Sequence, residues 1–205
     1  MSFLKPFPSR IHHACFLTCG VSRPLLTTYL PMFDPESDHP GKRDDVPTQM
    51  IFSQFSDAGV LLNRSRAMPE WRKVQFPVRA RFFSGHFAFA EGRFVREVPY
   101  DPYLYFHGEE ISMAVRAYTH GYDLFHPHRT LLWHCYERRY RDRHWDDHAT
   151  WYKADEASHA RVRALLGASS GKGVDFGCYG LGKARSLRDY ERFAGISFEK
   201  RTSFI

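Results

Sequence analysis

The strongest periodicity in the chain follows the tetrapeptide "HGEE" at 107–110. Ile111, Ala114, Val115 and Tyr118 recur at i, i+3, i+4 and i+7, which predicts a helix with one apolar stripe, and Gly121 stands where such a helix ends. The run "PLLTTYLP" (24–31), β-rich and set between prolines, predicts a buried strand, and the polar, proline-rich stretch 32–48 predicts a loop. Short strands are predicted over 49–54 and 59–63, and "HFAFA" supplies another. A turn at Glu91 and Gly92 then leads into a one-to-two-turn helix near 93–97, stopped by Pro99. "DLFHP" reads as a turn, and "TLLWH" as a strand ending at His134. Residues 155–166, "DEASHARVRALL", predict a helix with Gly167 just past its end, with Ala157, Ala160, Val162, Ala164 and Leu165 toward the core. "SSGKG" (169–173) reads as a flexible connection, and a short helix follows around 184–193. Strands and helices alternate throughout, so the fold class is α/β.

Composition narrows the picture only in part. At 205 residues, with 43% apolar and 16% aromatic residues, the chain has the material for a sizeable core and is not built like a disordered one. A net charge of +6 suits a nucleotide, a phosphate or RNA, and suits an ordinary basic surface better still. The four cysteines are scattered and complete neither a zinc site nor a disulfide framework. The apolar patch "HHACFLTC" is too short to span a bilayer and lacks the layout of a secretory signal, so a cytoplasmic protein with no membrane partner is expected. "SSGKG" falls short of a phosphate-binding loop.

Two clusters carry candidate chemistry. Glu109 and Glu110 sit in the first helical turn, where the dipole and free N–H groups favour negative charge, so two ordinary first-turn acids are as good a reading as a site. His134, delivered after the next strand, turns the pair into a candidate metal or phosphate site. The second cluster, "RRYRDRHWDDH" (138–148), holds Arg138, Arg139, Arg141, Arg143, His144 and His148, all able to grip phosphate oxygens. His144 and His148 have ligand spacing, but Trp145 stands where a zinc protease has its glutamate, so a solvated basic loop is the simpler reading.

The ordered elements "SGHFAFA", "EVPYDP", "FHGEEI", "RAYTHGYD" and a closing "WH" resemble the polypeptide GlcNAc-transferase family, cytoplasmic enzymes of GT-A fold. The likeness runs over roughly residues 22–195, and the order is similar to that of the mucin-type GalNAc-transferases. It implies the C-terminal part of a GT-A fold, a mixed sheet with flanking helices. It further implies transfer of GlcNAc from UDP-GlcNAc, with retention, to a polypeptide or saccharide hydroxyl. Glu109, with Glu110 less firmly, is implied beside the sugar, where it stabilises positive charge at the anomeric carbon. Gly85 and His86 are implied in a strand lining the sugar pocket, with Tyr100 and Asp101 before the acceptor-facing loop. Gly108, Arg116, Arg138, Arg143 and His144 join them as substrate-binding residues. His134 matches the histidine that completes a Mn²⁺ (or Mg²⁺) site with an Asp-x-Asp or Asp-x-His pair. No nucleic-acid partner is implied.

That metal-binding pair and the uridine-binding half have no counterpart before Gly85. The expected division is therefore an unmatched lead over 1–21, a GT-A-like portion over 22–148 carrying the acceptor and sugar side, and a C-terminal helical extension over 149–205. A chain so truncated is expected to bind Mn²⁺ poorly, to lack transfer activity alone and to self-associate through an exposed sheet edge. Two other classes remain open: a binding remnant that holds an anionic partner in its basic cleft, and a metal-dependent hydrolase using His144, His148 and Asp147.

Overall fold

The computed structural model describes residues 21–37, 39, 43–137, 139, 148–169 and 173–205. Its centre is a four-stranded mixed sheet. The first strand, β1 (Pro24–Thr27), is followed by a hairpin of β2 (Thr48–Phe55) and β3 (Leu61–Ala67), and then by the short strands β4 (Val78–Arg79) and β5 (Ala88–Phe89). Next come α1 (Phe94–Glu97), α2 (Glu109–Thr119), β6 (Asp123–His126), α3 (Trp151–Leu165) and α4 (Leu187–Ala194), with a terminal hairpin of β7 (Ile196–Ser197) and β8 (Thr202–Ser203). The sheet order is β4-β6-β1-β5, with β1 and β6 parallel and both edge strands antiparallel to their neighbours.

The two central strands are buried at every position, because helix α2 covers one face and a second apolar layer covers the other. Successive side chains take opposite faces: Leu25 and Leu124 join the main core with Ile111 and Val115, whereas Leu26 and Phe125 join a smaller cluster with Leu30 and Phe87. Two-residue edge strands leave little backbone for a partner chain to pair with.

The "DLFH" segment is a correction. It is not a turn but strand β6, next to β1 at the middle of the sheet. A four-residue strand buried on both faces shows no apolar/polar alternation, so its sequence resembles any short apolar run. Conversely, "TLLWH" forms no strand. It makes one bridge, in which His134 N–H donates to the Pro31 carbonyl (2.9 Å) and the His134 carbonyl accepts from Phe33 N–H (3.1 Å). The "PLLTTYLP" strand stops at Thr27.

Helix α2 has the predicted extent, with Ile111, Ala114 and Val115 buried and Gly121 at φ +90° past its end. Helix α3 starts four residues before the expected Asp155 and docks on Ser158, Val162 and Leu165, while Ala157 and Ala160 face outward. Helix α4 starts at Leu187, where Ser186 and Asp189 form a reciprocal capping box. Val162, Leu165, Tyr190 and Ile196 pack in the same core cluster as Phe82 and Val115, so the C-terminal segment shares one core with the sheet. Among the described residues, no helix is long and apolar enough to cross a membrane.

Candidate functional site

Gly108 caps α2 at φ +93°, a left-handed conformation that glycine adopts without strain. A Cβ there would lie 2.6 Å from Val162 Cγ2, so α3 presses directly on the turn that presents the two glutamates. Their carboxylates do not point away from the body of the protein. They face a cleft of about 500 Å³ whose walls include Tyr29, Gly85, His86, Tyr100 and His107.

Glu110 is the fixed member of the pair. Its Oε1 accepts the Gly85 N–H at 2.9 Å, and its Oε2 accepts the Tyr29 hydroxyl at 3.3 Å. Burial pushes its carboxyl above the ordinary range, against the pull of hydrogen bonds from Gly85, Tyr29 and Ser84. Burial also raises Glu109, and the neighbouring Glu110 charge adds to the effect. The Tyr29 and Tyr100 phenols are pushed well above their usual value, by burial first and then by glutamate charge, which keeps both as O–H donors. Gly85 and His86 occupy a turn before β5 rather than a strand, which corrects the expected placement. A Cβ on Gly85 would stand 3.5 Å from the Tyr100 hydroxyl, 3.8 Å from Glu110 and 3.9 Å from Glu109. The bare α-carbon thus marks the point on which two carboxylates and a phenol converge.

A ladder of rings continues from this point. Tyr29 meets His86 edge-on at 4.4 Å, His86 stacks on His134 at 5.0 Å, and Tyr136 packs edge-on against His134 at 4.6 Å. The Tyr136 hydroxyl donates to the Leu30 carbonyl (2.8 Å) and lies 2.9 Å from His86 Nδ1. Because the carbonyl can only accept, both contacts are satisfied when His86 carries its proton on Nδ1, which leaves Nε2 as the basic nitrogen. The structure therefore brings Glu109, Glu110, Gly85, His86 and Tyr100 to one cleft, with His134 stacked on His86.

Two other expected residues sit elsewhere. Asp101 is buried, accepts Arg161 Nε at 2.7 Å and caps the Tyr103 N–H at 3.1 Å. Arg116 is fully buried in α2, with Nη2 donating to the Cys178 carbonyl at 3.4 Å and its guanidinium over the Tyr179 ring at 5.8 Å. Neither lines the cleft. Arg138, Arg143 and His144 lie outside the described residues, as do Arg141 and Asp147. Tyr29, Tyr136 and His107 were not singled out from the sequence. Tyr136 had a local signal, standing two residues after His134.

Among the described residues, the groups around His134 do not make an oxygen-rich Mn²⁺ site. His134 has His86 and Tyr136 as ring neighbours, and among the described residues it belongs to no group of three His, Cys, Asp or Glu ligand atoms able to close on one ion.

A family model described as "Glycosyltransferase (GlcNAc)" matches residues 10–200. No match is found among curated proteins or among solved structures. The match covers most of the chain, including every strand and helix that builds the cleft, and the chain belongs to the glycosyltransferase (GlcNAc) family.

Proposed function

We propose that the cleft receives the GlcNAc ring of UDP-GlcNAc, on a GT-A-type fold, and that the family reaction is transfer of this sugar with retention to a polypeptide or saccharide hydroxyl. The observation that carries this reading is the convergence of Glu109, Glu110 and Tyr100 on the bare α-carbon of Gly85. A sugar needs acceptors and donors for its hydroxyls, together with a surface without side chains that lets it approach. Glu109 and Glu110 supply the acceptors, Tyr100 the donor, and Gly85 the gap.

Chemically, the bond from the anomeric carbon to the diphosphate breaks and its electron pair leaves with UDP. A new bond forms from the acceptor oxygen on the same face, and the acceptor proton passes to the departing phosphate. Positive charge develops at the anomeric carbon, where the desolvated Glu109 carboxylate stabilises it more than it would in water. Glu110, tied to Gly85 and Tyr29, holds the wall in place.

The test is saturation-transfer NMR of the purified chain with UDP-GlcNAc, alongside UDP release measured with and without Mn²⁺. Saturation is expected on the GlcNAc ring protons, and it should fall strongly in Tyr100→Ala. Absence of any contact with the sugar, or equal saturation in parent and variant, would remove the reading.

A further inference from the structure

A second cluster of ligand-type side chains stands at the rim of the cleft. Asp155 and His159 lie one helical turn apart on α3, and His107 lies on the loop that leads into Glu109. One ligand atom from each falls within 4.8 Å of the other two. His159 Nε2 stands 3.5 Å from Asp155 Oδ1. That matches the spacing of about 3.4 Å between two ligands on one tetrahedral ion with bonds of about 2.1 Å. Asp155 Oδ1 is buried and receives no hydrogen bond, with the His159 ring as its ion-pair partner, an arrangement that a cation between the two would satisfy better. The His107 and His159 rings face each other with centroids 6.1 Å apart, and His107, which is exposed, already holds a ring nitrogen within 4.8 Å of the other two ligand atoms.

The backbone beneath His107 is already registered on α3. Ser158 Oγ accepts the Tyr105 N–H at 2.9 Å and donates to the His107 carbonyl at 3.4 Å, while Val162 fills the space beside Gly108. The loop is thus pinned over the helix face that carries Asp155 and His159.

We propose that His107, Asp155 and His159 form a binding site for a divalent cation of the zinc class. Two imidazole nitrogens and one carboxylate suit Zn²⁺ better than the oxygen-preferring Mn²⁺ or Mg²⁺. Three protein ligands leave a fourth position for water or an anionic oxygen. Because His107 also lines the cleft, the ion ties α3 to the loop that delivers Glu109. This site is separate from His134 and stands whether or not the cleft binds UDP-GlcNAc.

The test is calorimetric titration of the metal-free full chain with Zn²⁺ alone, and visible absorption of the Co²⁺ form. One equivalent should bind, with the intense bands of tetrahedral cobalt. His107→Gln and His159→Gln should each weaken it by about 100-fold or more. Far-UV circular dichroism and the unfolding midpoint of the metal-free variants should match the parent, which shows that the loss is one of ligands and not of fold. Absence of stoichiometric binding would overturn the proposal. Binding that survives both substitutions would also overturn it, since the ion would then sit on other histidines.

Discussion

The Glu110 carboxylate reaches across the cleft to the Gly85 amide, taking its N–H at 2.9 Å while its second oxygen takes the Tyr29 hydroxyl at 3.3 Å. One side chain thus joins the start of α2, the turn before β5 and the segment just after β1. A carboxyl whose folded pKa is raised costs stability wherever it is ionised in both states, and the cost disappears as pH falls below the unfolded value. Both glutamates have that sign. Glu109→Gln and Glu110→Gln should therefore raise the urea midpoint at pH 7, with the gain shrinking toward pH 4. Glu110→Gln keeps an oxygen for the Gly85 amide. A lower midpoint in both variants at pH 7 would show that the charges are net stabilising.

The catalytic consequence follows from the same charge. In a reconstituted transfer assay, Glu109→Gln should lower kcat by about 100-fold or more while leaving donor affinity nearly unchanged, because the charge matters chiefly in the transition state. Equal losses in kcat and in affinity would instead assign Glu109 to ground-state binding.

Gly108 is a backbone position on which the presentation of both glutamates depends. Gly108→Ala places a methyl 2.6 Å from Val162 Cγ2 at φ +93°, combining overlap with left-handed strain. A loss of about 2–3 kcal/mol is expected in chemical denaturation. Adding Val162→Ala should recover the overlap part and not the strain. If the double variant shows no recovery relative to Val162→Ala alone, α3 does not press on this turn.

Parts of this architecture were legible in the sequence for specific physical reasons. Helix α2 shows itself because its apolar stripe, its first-turn acids and Gly121 agree. Strand β6 does not, because four residues buried on both faces carry no period. The face of α3 was misread because alanines counted as apolar: Ala157 and Ala160 point out, while Ser158 is buried and binds the loop at Tyr105 and His107. Gly85 and Tyr100 come only through the family resemblance, whereas Glu109 also stands out as a first-turn acid of the periodic helix. Tyr29 comes from a segment whose approach is set by the tertiary fold, and nothing in its local sequence marks it; His107 opens the HGEE run, but its place at the cleft is set by the packing of that loop on α3.

Asp101 and Arg161 form an ion pair at 2.7 Å with the aspartate almost wholly enclosed, and Arg161 also lies over the rings of Phe176 (4.8 Å) and Tyr103 (5.1 Å). Removing Arg161 takes away the directly bonded cation and leaves the enclosed carboxylate only the more distant charge of Arg116, so Arg161→Ala should cost about 3 kcal/mol. Adding Asp101→Asn to it should restore part of that loss, because no charge is then left behind. Additive losses in the double variant would show that the two side chains do not interact.

His126 carries the pH prediction with a definite window. Its Nδ1 donates to the Thr27 carbonyl at 2.8 Å and its Nε2 accepts the Met50 N–H at 3.1 Å, so the buried ring bridges β1 to the β2 hairpin as the neutral tautomer. Burial pulls its pKa from 6.5 down to about 4. The unfolded chain then binds a proton between these values while the folded chain does not, so stability falls as pH drops through the window. The His126 contribution to this fall is about 3 kcal/mol. The two glutamates act in the opposite sense over part of the same range, so the measurement is a difference. Unfolding free energies of the parent and of His126→Gln should be compared at pH 7 and at pH 4. The parent's advantage should be largest at pH 7 and shrink by about 3 kcal/mol at pH 4. An advantage that stays constant across that range would mean that His126 titrates alike in the folded and unfolded chain, and that the bridge to the hairpin is not held by a neutral ring.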